Sequence, residues 1–170
     1  MVLPEKVINY NVYSAGEKLI GIAAEVTLPK LEPMAEEISG AGILGMFSSP
    51  TPGHFGSMQT EITFNAINDK SFSLMNPNGQ TIMLRASQQG FDVSAGRISY
   101  RPLKITMIVY PAGMELGTLA VGKPTGTKNT LEILYLKIEE NGSVLLELDK
   151  LNFVYTVNGV DILAAVRRQI

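Results

Sequence analysis

Ser57-Met58-Gln59-Thr60-Glu61-Ile62-Thr63-Phe64-Asn65 reads with period two, placing Met58, Thr60, Ile62 and Phe64 on one side and Gln59, Glu61, Thr63 and Asn65 on the other. Successive side chains of an extended chain point to opposite faces, so this alternation is that of a half-buried strand. Gln80 to Gln89 repeats it, with Ile82, Leu84 and Ala86 opposed to Thr81, Met83, Arg85, Ser87 and Gln89. Leu103 to Val109 does so again, with Leu103, Ile105, Met107 and Val109 opposite Lys104, Thr106 and Ile108. The spacing therefore predicts a mainly β chain built from two-faced antiparallel strands, with short helices (α+β). A polar face on each strand fits plain solvent exposure and fits equally the lining of a water-filled channel in a large barrel.

Turn chemistry places further strands around these. Thr130 to Glu139 and Ser143 to Asp149 flank Glu140-Asn141-Gly142, and Asn-Gly between apolar runs predicts a hairpin because both residues tolerate positive φ. Val7 to Tyr13 and Leu19 to Leu28 read as a first hairpin around Ser14-Ala15-Gly16-Glu17, and Phe153 to Val157 as a final strand. Helix is expected in two places. One is a turn over Asp69 to Met75, stopped by Asn76-Pro77-Asn78-Gly79. The other is Asp161 to Arg168, with Asp161 as cap, Ile162, Leu163 and Val166 on one face, and Arg167 and Arg168 at the negative end of the dipole.

At 170 residues the chain can bury about two thirds of its unfolded surface in one core, which predicts a single domain over 1–170. The 45% hydrophobic content and mean hydropathy of +0.15 are high for that size and suggest apolar surface buried between subunits. With no cysteine, disulfides and thiolate metal sites are excluded. Met1 to Asn11 carry Glu5 and Lys6 and no apolar run, so no signal peptide is expected, and no uncharged apolar stretch approaches about 18 residues, so no membrane span is expected. The expectation is a soluble protein made in the cytoplasm. The net charge of −2 is spread unevenly: residues 1–40 hold six acids and three bases, residues 101–170 seven and eight. No basic stripe of the kind that neutralises several phosphates is present, which argues against tight nucleic-acid binding.

Residues 39–56 stand apart. This Gly/Pro-rich segment also carries Ile43, Leu44, Met46, Phe47 and Phe55, a composition that does not suit a solvated linker. It is read as a long loop that either folds back on its own core or docks onto another subunit. Catalytic groups are missing from it and from the rest of the chain. His54 is the single histidine and lacks the partners that general-base or zinc chemistry requires. Gly40-Ala41-Gly42 with Gly45 lacks the Lys-Ser/Thr of a phosphate loop. Glu36-Glu37 and Glu139-Glu140 are sequence neighbours that a strand would point to opposite faces, and no Gly-x-Ser-x-Gly elbow occurs. Neither an enzyme nor a bound metal or cofactor is expected.

Five segments, in order, resemble the major tail tube proteins of contractile-tailed bacteriophages and R-type bacteriocins. They are Leu3-Pro4 followed by Asn9-Tyr10-Asn11-Val12-Tyr13 and the Gly16 turn; Thr27-Leu28-Pro29-Lys30-Leu31; Glu36-Glu37 leading to Gly40-Ala41-Gly42; Tyr135-x-Lys137 with Glu147-Leu148-Asp149 and Asn152; and the ending Val157-Asn158-Gly159-Val160-Asp161-Ile162-Leu163-Ala164-Ala165-Val166-Arg167. The chain departs from the family at Ile38 and Ser39, where an aromatic and a basic residue are usual, and in the Pro- and Ser-rich run from Ser48 to His54.

The resemblance implies an antiparallel β-sandwich or partial-barrel subunit that completes a large inner β-barrel in a six-subunit ring. Rings would stack into a hollow tube that a contracting sheath drives through an envelope and down which DNA passes as transient cargo. On that basis Gln59, Glu61, Thr63, Thr81, Arg85 and Ser87 become lumen-facing candidates. Glu36, Glu37, Gly40, Gly42, Ile43, Leu44, Met46, Phe47 and Phe55 become ring-stacking or intersubunit candidates. Asn158 and Gly159 would turn the chain off its last strand, and Asp161, Leu163 and Arg167 belong to a short helix packed on the barrel's outside or on a neighbour. Implied partners are further copies of the chain, a sheath protein, a tape measure protein, a baseplate hub and a tail terminator, with no stable membrane binding. Assembly would occur in the host cytoplasm and the product would be part of the particle's tail. Two other readings remain open at this point: the tube of a type VI secretion-like system, and a small-molecule-binding β-barrel that closes within one chain around an apolar cavity.

Overall fold

A computed structural model describes the backbone of residues 1–170 and the side chains of all of them except Ala23 and Ala24. In chain order the elements are Val2–Ser14 (β1), Glu17–Leu19 (β2), Ile22–Thr27 (β3), Pro33–Ile38 (β4), Phe47–Phe55 (β5), Gln59–Phe64 (β6), Asp69–Ser73 (α1), Gln80–Asp92 (β7), Arg97–Glu115 (β8), Thr127–Glu140 (β9), Ser143–Asp149 (β10), Val154–Val157 (β11), Val160–Asp161 (β12) and Ala164–Arg167 (α2). The chain is thus mostly antiparallel β with two short helices, as the alternating strands predict.

Ten strands form one antiparallel sheet in the order β12-β11-β10-β9-β8-β7-β1-β2, with β6 attached to β9 and β3 to β6. The branch exists because β9 is long enough to take two partners along one edge: Thr127 to Glu132 faces β6 and Tyr135 to Glu140 faces β10. Leu134 sits at the fork as an extra residue, skipped between the pairs Ile108↔Tyr135 and Val109↔Ile133. One inserted residue flips the alternation, so the inward set of β9 runs Leu131, Ile133, then Leu136. Its carbonyl still finds a partner in the Lys150 N–H, at 3.1 Å.

The predicted faces hold. Met58, Ile62, Phe64, Ile82, Leu84, Ile105, Met107 and Val109 are buried in one cluster with Val12, Leu19, Leu131, Leu136 and Leu148. The Asn141-Gly142 turn has φ of 49° and 81°, the positive pair that a two-residue hairpin requires. Helix α1 starts where Asn68 Oδ1 accepts the Ser71 N–H at 2.9 Å, and Asn129 in β9 donates to the Ser71 carbonyl at 2.9 Å, holding the helix over the core.

Three expectations are corrected. Leu19 to Leu28 is not one strand: Gly21, at φ 82°, breaks it, and β3 pairs with β6 while only Glu17 to Leu19 pairs with β1. The segment 39–56 is not a loop throughout, because Phe47–Phe55 is a strand paired with β4 in a separate two-stranded sheet. The C-terminal helix is four residues long, begins at Ala164, and has Leu163 at its cap position. Asp161 belongs to β12 instead, and of the three apolar residues assigned to one packed face only Leu163 is buried, while Ile162 and Val166 are exposed.

Candidate functional site

The β4–β5 hairpin is an arm. All residues of β4 are exposed, and the tip carries Ile43, Leu44 and Met46 between the strands and Phe47 at the start of β5, with Leu44 fully open to solvent. Gly42 and Gly45 take φ of 87° and 94° there, a conformation that glycine adopts without a Cβ penalty. Gly40 accepts the Ile43 N–H through its carbonyl at 3.1 Å, closing the tip into a turn. Glu36 and Glu37 lie on β4 opposite Ser49 and Ser48, pointing to opposite faces of the ribbon. A contiguous exposed apolar cluster on a projecting element marks an interaction site more often than it marks accident.

The root of this arm is gripped by the C-terminal segment. Phe55 meets Tyr155 edge-on with ring centres 5.3 Å apart, and His54 meets Phe153 likewise at 6.3 Å. The Lys150 ammonium donates to the Gly56 carbonyl at 2.8 Å. Leu163 packs so closely on Gly53 that a Cβ there would stand 2.7 Å from Leu163 Cδ1. His54 is therefore a packing residue at the arm's base. These contacts join positions about a hundred apart in the sequence, and no local spacing signals them.

The C-terminal signature residues build that grip. Asp149 accepts the backbone N–H groups of Leu151 and Asn152 and the Asn152 side-chain amide, which turns the chain after β10. Asn158 and Gly159, at φ 49° and 79°, form the tight turn into β12. Asp161 accepts the Leu163 N–H at 3.1 Å and takes a two-pronged contact from the Arg167 guanidinium, at 2.7 and 3.0 Å. Arg167 thereby fixes the turn that aims Leu163 at Gly53.

The candidate lumen residues occupy the face of the large sheet turned away from the core. Gln59, Glu61 and Thr63 lie on β6, and Thr81, Arg85 and Ser87 on β7; the two rows are separated by β9 and β8, roughly 14 Å across at the usual strand spacing. Charged pairs share that face with the exposed Ile108 and Tyr110: Lys128 lies 3.8 Å from Glu61 and 3.6 Å from Glu115, and Lys104 and Lys137 share Glu139 at 3.5 and 3.6 Å. Tyr135 donates to Glu147 at 3.0 Å, and burial, that hydrogen bond and the carboxylates of Glu147, Asp149 and Glu139 push its hydroxyl up to about 12. Arg85 makes no ion pair among the described residues.

On the other side of the sheet the core opens into a cleft of about 730 Å³ between β1, β2, β3 and the inner faces of β7 and β8. Tyr10, Ile20, Ile22, Leu84 and Leu103 are among its walls. Sequence patterning gave no sign of it; Gly21, where the chain breaks between β2 and β3, is among its lining residues. Among the described residues no three histidine, aspartate or glutamate side chains gather as a metal site. Among the described residues no helix is long and apolar enough to cross a membrane.

Known proteins resemble this chain over most or all of its length. The family described as phage tail tube protein FII matches residues 4–170. The tail tube protein of Escherichia phage P2 is 26% identical over 174 residues, covering 100% of this chain and 99% of that protein. The cryo-EM structure of the sheath/tube terminator of an extracellular contractile injection system, PVC, in its extended state has a similar fold. Its TM-score is 0.56 at 14% identity, over 80% of this chain and 96% of the other.

Proposed function

Because the chain belongs to the phage tail tube protein FII family, a structural family, we propose that it forms six-subunit rings that stack into the hollow inner tube of a contractile tail. In this reading the tube is a conduit for DNA and the rigid rod that a contracting sheath drives through the target envelope. Sheath, tape measure, baseplate hub and tail terminator are its partners, and assembly takes place in the host cytoplasm. The observation that carries the reading is the combination of an unclosed ten-stranded sheet with an arm whose apolar tip residues Ile43, Leu44, Met46 and Phe47 are exposed. Unpaired strand edges invite pairing with another chain, and a contact between two different patches closes into rings or runs on as a filament. The sheet also lacks the closure that a single-chain ligand-binding barrel would need.

The outward face bearing Gln59, Glu61, Thr63, Thr81, Arg85 and Ser87 is assigned to the lumen, and the arm to contact between rings. Electron microscopy of the purified chain, alone and with tape measure and sheath proteins, tests the proposal. Rings or hollow tubes are expected. A compact monomer under every assembly condition overturns it.

A further inference from the structure

The arm tip and the open cleft are two unsatisfied apolar features of one chain, and we infer that they satisfy each other in trans: the tip of one copy seats in the β1–β2–β3 cleft of a second copy. The inference rests on the tube reading and specifies the receptor for its arm.

The occupant is argued from reach, surface chemistry and charge. The chain leaves β3 at Thr27, and Leu28 lines the cleft five residues before β4 begins at Pro33. The arm's root therefore lies close to the cleft in sequence. Its tip is carried off by the nine residues of β5, roughly 30 Å at about 3.3 Å per residue. The two strands of the arm pair only with each other. Leu44, Met46 and Phe47 are exposed and none of them lines the cleft of its own chain, so the tip is free to fill another copy's, and a contact between unlike patches of identical chains repeats from copy to copy.

The surfaces match. The tip presents Leu44, Met46 and Phe47, and the cleft walls lead through Ile22, Leu84 and Ile105 into the core cluster. Residues 33–55 contain Glu36 and Glu37 and no lysine or arginine. Lys18 lines the cleft and makes no ion pair among the described residues, nor do Glu36 and Glu37; Glu25 also lines the cleft, which limits the complementarity to the Lys18 side. Two other exposed apolar residues, Leu119 and Val121 in the β8–β9 connection, are the rival occupants.

The natural chain has no cysteine, so cross-linking is a clean test. Leu44→Cys and Ile20→Cys are introduced together, assembly is followed by electron microscopy, and the particles are treated with a short bis-maleimide and run on a denaturing gel. Both side chains are exposed in the unassembled subunit, so folding is expected to survive. The expected result is a shift from monomer to a ladder of covalent multimers. A mixture of the two single variants should give dimer only, and a Val121→Cys, Ile20→Cys control should stay monomeric. Tubes that form without the ladder, or that cross-link through Val121, overturn the cleft assignment and leave the tube reading standing. Absence of rings and tubes under every condition, for the natural chain as well, overturns both.

Discussion

Replacing Gly53 by alanine tests whether the arm is held by the C-terminal segment. Gly53 has φ 75°, where an L-residue is strained, and the new Cβ would lie 2.7 Å from Leu163 Cδ1 and 3.3 Å from its Cγ and Cδ2. The strain costs about 1 kcal/mol. Overpacking against a side chain that is only 4% exposed adds about 1–2 kcal/mol, within the usual span for an inserted methyl. Leu163→Ala alone removes the buried side chain and costs about 2–3 kcal/mol, the low end for a leucine because its flanking residues are exposed and the site can collapse.

The two changes should not add. With Leu163 shortened, the three atoms nearest the methyl on residue 53 are gone, so chiefly the backbone strain survives. The double variant should therefore be less destabilised than the sum of the singles by about 1–2 kcal/mol, a coupling typical of residues in direct contact. Urea unfolding followed by far-UV circular dichroism, on unassembled subunit, gives the four stabilities. Strict additivity would refute the packing of Leu163 on Gly53. Loss of tubes from a double variant whose subunit still folds would show that the Leu163 side chain is needed to aim the arm as well as to hold it.

Three further outcomes follow from single contacts. Gly142→Ala meets no atom within 4 Å of its new Cβ, so only the strain at φ 81° is felt; the cost should be about 1 kcal/mol, read as a fall in Tm of about 2–4 °C, and a larger loss would mean that the turn packs on something. Asn129→Ala removes the bond to the Ser71 carbonyl, but Asn129 Oδ1 has no partner of its own among the described residues. The loss should accordingly fall near 1 kcal/mol, at the low end for a buried hydrogen bond, and hydrogen exchange should show faster opening confined to α1. Tyr135 is raised from 10.0 to about 12 in the folded chain, so folding favours its protonated form. That contribution is complete below about pH 10 and is lost between pH 10 and 12; the stability difference between the natural chain and Tyr135→Phe should be constant up to pH 9 and shrink above pH 10, and a pH-independent difference would contradict it.

The strands that period two exposes were legible because each packs one face on the core: Met58 to Phe64 and Ile82 to Leu84 have their apolar side chains buried as read. The arm was not. Its strands carry Pro33, Pro50, Pro52 and Gly53, which within a wide sheet would cost ladder bonds and so read as loop. In a two-stranded ribbon every strand has one open edge, and a proline there gives up no hydrogen bond. Apart from Ser49, Gly53 and Phe55 the arm's strand residues are exposed, so little alternation had to be written into the sequence. The ending misled for another reason. Asp161 precedes an apolar run as a cap residue would, but its carboxylate is taken by Arg167 six residues on, which closes a turn and leaves room for one helical turn only.

The most recognisable part of the sequence and the least regular part are mechanically one unit. Phe55 packs on the core, and residues 150–163 supply a set of contacts at the arm's base: Lys150 on Gly56, Phe153 on His54, Tyr155 on Phe55 and Leu163 on Gly53. None of these contacts is strong alone. Together they act over four consecutive residues, Gly53 to Gly56, where the ribbon leaves the body. A hairpin about 30 Å long magnifies any rotation at its base. A tilt of a few degrees there moves the tip by a few ångströms, enough to miss a partner of side-chain dimensions. The Asp149-Asn152 turn, the Asn158-Gly159 turn and the Asp161-Arg167 pair each fix the path of the segment that supplies those contacts. Their common physical role is to set the direction of the arm.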